Sequence, residues 1–169
     1  MNTVVLEFLI ISLSCFSESV NIINVGILIP SNVDVGLHRD CGMYNSLGAI
    51  PMAVDRIVKE ELLNNFNFTF KIFNDECDEA LASGYAAILL EQNNIDVIFG
   101  PVCNAAAKAV GSLGSFYNKP VMTWGLVNSY ELTNYDKYPT LSTIVGTSRA
   151  LGSAIAEIMK QYNWEQFAF

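Results

Sequence analysis

Asp96-Val97-Ile98-Phe99-Gly100-Pro101-Val102-Cys103-Asn104-Ala105-Ala106-Ala107, continued by Phe116-Tyr117-Asn118-Lys119-Pro120-Val121-Met122-Thr123-Trp124-Gly125, is the stretch that decides the fold. Its first four residues form a short apolar strand that Gly100-Pro101 closes. Small residues over 105–117 predict a closely packed helix, and 120–124 reads as the next strand. A strand, a crossover helix and a second strand make one βαβ unit, so the two strands run parallel.

The same rhythm extends in both directions. Residues 22–29, Ile-Ile-Asn-Val-Gly-Ile-Leu-Ile, are an apolar run stopped at Pro30, as expected of a strand buried on both faces. Ile50, Val54, Ile57, Val58 and Leu62 then recur at helical spacing among charged residues, predicting an amphipathic helix. Residues 67–73 alternate as a strand, with Phe68, Phe70 and Ile72 on one side and Asn67, Thr69 and Lys71 on the other. Residues 80–90 read as a helix, 128–139 as a Tyr-rich loop and 140–145 as a strand. A last helix follows, capped by Thr147 or Ser148 and carrying Leu151, Ile155, Ile158 and Met159 on one face. The chain stops within an apolar stretch, 166–169, that reads as an interrupted strand. The fold class is therefore α/β, a doubly wound parallel sheet with helices on both faces.

The 169 residues, 51% of them hydrophobic, suffice for one domain with a real core. A formal net charge of −8 disfavours nucleic acid and anionic membrane surfaces as partners. Residues 4–16 are mainly apolar yet too short to cross a bilayer, and Ser17-Glu18 follows; 1–17 reads as a signal peptide. Removing it leaves Cys41, Cys77 and Cys103 in an oxidising compartment, an odd number with one thiol over.

Catalytic motifs are missing. There is no Gly-x-Gly-x-x-Gly, no phosphate-binding Gly-x-x-x-x-Gly-Lys and no Gly-x-Ser-x-Gly elbow. Gly111-Ser112-Leu113-Gly114 lies within a predicted helix, where small residues mean close packing. The lone histidine, His38, sits in a polar loop; a metal site using it with Cys41 would need Cys77 and Cys103 from far away, so no metal is expected. Asp75, Glu76, Asp78 and Glu79 read as acids opening a helix. Asn67-Phe68-Thr69 is the single N-glycosylation sequon, on the polar side of a strand. In a sheet of this kind ligands meet the loops at the carboxyl ends of the strands. The expected ligand wall is Pro30, Asn32, Pro101, Cys103, Asn104, Trp124 and Leu126, with Trp124 either a binding platform or a core plug.

The Gly-Pro-x-Cys turn at 100–103, the Ala-rich helix after it and the Lys119-Pro120 strand entry resemble the ligand-binding region of receptor-type guanylate cyclases and natriuretic peptide receptors. Val25-Gly26-Ile27-Leu28-Ile29-Pro30, residues 49–58 and Tyr138-Pro139-Thr140 fit the same pattern, so the resemblance covers about 21–169. It implies a type I periplasmic-binding-protein-like clamshell (a Venus flytrap), with 18–163 as the first lobe and 164–169 as the start of a truncated second. It implies a disulfide between Cys77 and Cys103, and a structural chloride near Asn74, Val102 and Cys103, with no other cofactor.

Taken with the secretory leader, the resemblance implies an extracellular domain that binds a peptide or small molecule and dimerises. Its parent would be a membrane-anchored receptor guanylate cyclase at the cell surface that couples ligand to cyclic GMP. The fragment itself is not an enzyme. The alternatives are the amino-terminal domain of a glutamate-type or class C G-protein-coupled receptor, and a secreted α/β enzyme. Asn104-Ala105-Ala106-Ala107 lacks the hydroxyls that would grip an amino acid's carboxylate.

Overall fold

A computed structural model describes residues 20–31, 41–92 and 94–166. The predicted signal peptide, Asn32, His38 and the interrupted strand's last three residues lie outside the described residues.

Five parallel strands form one sheet: β1 (Asn21–Leu28), β2 (Phe66–Phe73), β3 (Val97–Phe99), β4 (Val121–Thr123) and β5 (Leu141–Thr143), in the order β2-β1-β3-β4-β5. The connecting helices are α1 (Met43–Ser46), α2 (Ala49–Lys59), α3 (Glu79–Gln92) and α4 (Asn104–Phe116), and α5 (Ser148–Gln161) follows β5. A single turn of 3-10 helix, Tyr130–Thr133, interrupts the predicted Tyr-rich loop. This is the doubly wound α/β fold expected from the sequence.

The register explains why 22–29 reads as a continuous apolar run. Leu28 points into a core made with Ala82, Ala86, Leu89, Ile98, Ala106, Val110 and Val121, beneath α3 and α4. Val25, Ile27 and Ile29 point the other way, against Met43, Leu47, Ile50, Phe68, Val97 and Trp124. β1 is thus covered on both faces, which only a central strand allows. Gly111 and Gly114 bring α4 down onto the sheet: a Cβ at Gly111 would lie 2.5 Å from Leu141 Cδ1, and one at Gly114 2.4 Å from Val121 Cγ2. Close packing, read from the small residues, is what they provide.

Two readings change at the helices. The apolar stripe predicted through Val58 and Leu62 is only partly used: Val58 lies within α2 but faces outward, and Leu62 falls beyond the helix end at Lys59, where Glu61 adopts a left-handed φ of 52°. Val58 and Leu62 remain 71% and 62% exposed, and only Ile50, Val54 and Ile57 turn toward the sheet. Helix α5 begins as expected, the Thr147 side chain accepting a hydrogen bond from the Ala150 amide, but it buries none of its residues. The core therefore closes with β5.

Candidate ligand-facing edge of the sheet

From β1 the chain leaves to one side, through α2 to β2, and returns to the other through α3 to β3. The order β2-β1-β3 therefore reverses at the boundary between β1 and β3, and the crevice beyond their carboxyl ends is where this fold places ligands. The turn after β3 is built around Gly100. Its φ of +94° is left-handed territory, and a Cβ there would sit 2.0 Å from the Leu28 carbonyl oxygen. The Gly100–Pro101 peptide is cis, and Pro101 and Val102 are buried behind it.

Cys103 follows as the N-cap of α4. Its side chain caps nothing because it is disulfide-bonded to Cys77, with the Cα atoms 5.6 Å apart. The bridge implied by the resemblance is thus formed, joining the turn after β3 to the loop after β2. Cys41 lies at the same edge: a Cβ at Gly125, whose φ is +72°, would meet Cys41 Sγ at 3.2 Å and Val102 Cβ at 3.0 Å. Among the described residues no group of three His, Cys, Asp or Glu is placed to hold a metal.

The structure gathers Pro30, Pro101, Cys103, Asn104, Trp124 and Leu126 along one edge, and their side chains divide by task. Pro30 and Pro101 are buried, and half-buried Trp124 packs on the Val25–Ile27–Ile29 cluster, which makes its main role structural. Asn104 is a tie between loops, its Oδ1 accepting from the Ser129 amide (2.9 Å) and its Nδ2 donating to Asn128 Oδ1 (3.0 Å). The Leu126 amide donates to the Val102 carbonyl at 2.9 Å, lacing the same loops together. Asn104→Ala should consequently cost about 1–2 kcal/mol of stability by leaving these partners unmatched. Chemical denaturation of the wild type and variant measures it, and an unchanged midpoint would show that the tie carries no weight.

Asn74 closes the neighbouring gap. Its Oδ1 accepts from the Ser31 amide (2.7 Å) and the Glu76 amide (3.3 Å), while its Nδ2 donates to Ser31 Oγ and Glu76 Oε1. These bonds join the ends of β1 and β2.

The acidic run 75–79 splits in a way its composition does not show. Asp78 behaves as a helix-opening acid, its Oδ1 accepting from the Leu81 amide at 2.8 Å. Asp75 is fully buried, and neither carboxylate oxygen meets a partner in full hydrogen-bonding geometry. Burial pushes its carboxyl up to about 6; the Cys77 and Asp75 amides partly offset this, and the nearby Glu76 carboxylate adds to it. The folded-state value lies above the ordinary 3.8, so ionised Asp75 lowers stability above pH 6, and the loss is relieved as pH falls toward 3.8.

Between pH 7 and 5 the relief should be on the order of 1 kcal/mol. Glu131, held down to about 2 by Lys108 and then Lys137, changes stability only below that window. Urea midpoints at pH 7 and pH 5 should therefore rise on acidification in the wild type and stay level in Asp75→Asn. Equal slopes in both would refute this reading.

A hollow of about 360 Å³ lies at the opposite end of β1 and β2, beneath α2, among Ile22, Val54, Ile57, Leu63, Phe66 and Phe68.

The family model described as the receptor family ligand binding region matches residues 45–169. The Caenorhabditis elegans receptor-type guanylate cyclase gcy-20 is 38% identical over 165 residues, covering 98% of this chain and 15% of that protein. Receptor-type guanylate cyclase gcy-13 of the same organism is 42% identical over 128 residues (76% of this chain, 12% of the relative), and gcy-14 is 36% identical over 147 (87% and 13%). The chain thus spans a small fraction of the length of these curated relatives. The fold, its bridged carboxyl edge and the family match agree: this chain belongs to the receptor family ligand-binding region, the part it shares with receptor-type guanylate cyclases.

Proposed function

We propose that the chain is the first lobe of the extracellular ligand-binding region of a single-pass receptor guanylate cyclase, which couples an extracellular peptide or small molecule to cyclic GMP. The observation that carries this reading is the near-complete coverage of the chain by a similar segment of receptor-type guanylate cyclases, on a parallel sheet whose order reverses between β1 and β3. In this reading the loops after β1, β3 and β4 form one wall of the cleft. Asn104 and the disulfide fix their shape, and Leu126 and the exposed flank of Trp124 offer contact surface. In this reading helix α5, whose Leu151, Ile155 and Ile158 are 63%, 36% and 48% exposed, opens the second lobe, which sets the boundary at 144–147 rather than at the 163/164 the resemblance implied.

The receptor dimerises through its ectodomain and is anchored by a span downstream of this segment; no described helix here is long and apolar enough to cross a membrane. Sequencing the transcript beyond the Phe169 codon tests the reading. It should continue into a second α/β lobe, one apolar span of about 20 residues, and kinase-like and cyclase sequences. A downstream sequence of seven spans, or of a catalytic hydrolase, would overturn it.

A further inference from the structure

β2 is the long edge of the sheet. It pairs along all eight residues with β1, while the opposite edge strand, β5, has three residues. Among the described residues no strand pairs with its outer side, so a row of backbone N–H and C=O groups faces outward. The strand reads Phe66-Asn67-Phe68-Thr69-Phe70-Lys71-Ile72-Phe73, and Phe66, Phe70 and Ile72 are 38%, 38% and 41% exposed. Aromatic and β-branched residues with a single charge on a long open edge are a template for pairing with another strand.

The pleat places Asn67 where it can counter this. Thr69 Oγ1 donates to Asn24 Oδ1 at 2.6 Å, and Phe73 stacks on Tyr85 of α3 with ring centroids 4.9 Å apart. Phe68 packs into the cluster on the other face. Asn67, Thr69 and Lys71 therefore share the α3 side of the strand. Asn67 is exposed at the strand's beginning, and its register partner Ile22 is 57% exposed.

We propose that Asn67, within the sequon Asn67-Phe68-Thr69, carries an N-linked oligosaccharide that guards the β2 edge against strand-to-strand association. The donor is a lipid-diphosphate-linked oligosaccharide of the secretory pathway. Asn67 Nδ2 forms a bond to C1 of the first sugar as the C1–O bond to the diphosphate breaks. The amide gives up a proton, and the diphosphate leaves with the electron pair. A hydrated oligosaccharide is wider than the roughly 4.8 Å that an added strand would occupy beside β2. It adds hydration where Lys71 is the strand's only charge.

The inference rests on the extracellular placement proposed above, and the test separates the two. The chain is expressed in secreting eukaryotic cells and recovered from the medium. Peptide N-glycosidase should then lower its mass by a whole oligosaccharide and convert Asn67 to Asp. Retention in the cytosol would contradict the extracellular placement, whereas a secreted chain of unchanged mass would overturn the glycan alone.

The guarding role is read by size-exclusion chromatography. The glycosylated chain should elute as one discrete species, and Asn67→Gln and Thr69→Ala should lose that peak to large assemblies. Asn67→Lys, which restores a charge to the edge without a sugar, should recover it. Should the Asn67→Gln variant not be secreted, endoglycosidase trimming of the purified glycoprotein to a single sugar supplies the same comparison. A peak that survives loss of the glycan overturns the guarding role.

Discussion

Gly100→Ala is expected to abolish recovery of folded, oxidised protein. The φ of +94° already disfavours any side chain, and the added Cβ would lie 2.0 Å from the Leu28 carbonyl oxygen, well inside van der Waals contact. That oxygen is main chain, on a strand held by β2 on one side and β3 on the other, so no rotamer change relieves the overlap. Relief would require β1 and β3 to part at the end that supports the candidate cleft. The cost should exceed about 4 kcal/mol, the range reserved for changes that break a defined structural device. Secreted yield and the thermal transition of any recovered material are the readouts. A Gly100→Ala variant secreted and melting like the wild type would show that the turn is not built as described.

The second large effect concerns the Cys77–Cys103 bridge, which closes a separation of 26 residues. Constraining a loop of that length in the unfolded chain corresponds to roughly 3.5 kcal/mol. The loop contains β3 and α3, and its closure also fixes the turn bearing Glu76 and Cys77, both at positive φ (48° and 57°). A Cys77→Ser/Cys103→Ser double variant should therefore unfold at markedly lower denaturant than the wild type. The double variant is the better comparison because it leaves no lone thiol at the edge. A midpoint within error of the wild type, with the wild-type disulfide confirmed by peptide mapping, would contradict the entropic account.

Local pattern carried most of the architecture. Residues 22–29 read as a strand buried on two faces because β1 has helices on both sides, and the small residues of 105–117 read as close packing because α4 rests on β4 and β5. Thr147 was legible as a cap because capping is decided within one turn. What local pattern could not carry was contact between segments far apart in sequence. The Ser31–Asn74 hydrogen bonds span 43 residues, and the Asn104 bonds to Asn128 and Ser129 span 24 and 25.

Nothing in Asn-Asp-Glu-Cys-Asp-Glu distinguishes the buried Asp75 from the capping Asp78 until the loop is folded. Val58 and Leu62 continue the apolar stripe of α2 in sequence, but Val58 faces outward and the helix ends before Leu62. The carboxyl edge of the sheet was legible, because strand order and direction fix it, but the contacts made along it were not. Trp124 packs on the Val25–Ile27–Ile29 cluster and Asn104 ties two loops together, contacts that no local pattern shows.

The proposal that these residues are the first lobe of a receptor guanylate cyclase is best tested by the enzyme activity of the whole receptor. The full reading frame beginning with residues 1–169 is expressed in cells, and cyclic GMP formation from GTP is measured in the washed membranes. Membrane-bound guanylate cyclase activity above that of mock-transfected cells is expected. Surface-delivered full-length protein whose membranes form no cyclic GMP above the mock level would contradict it.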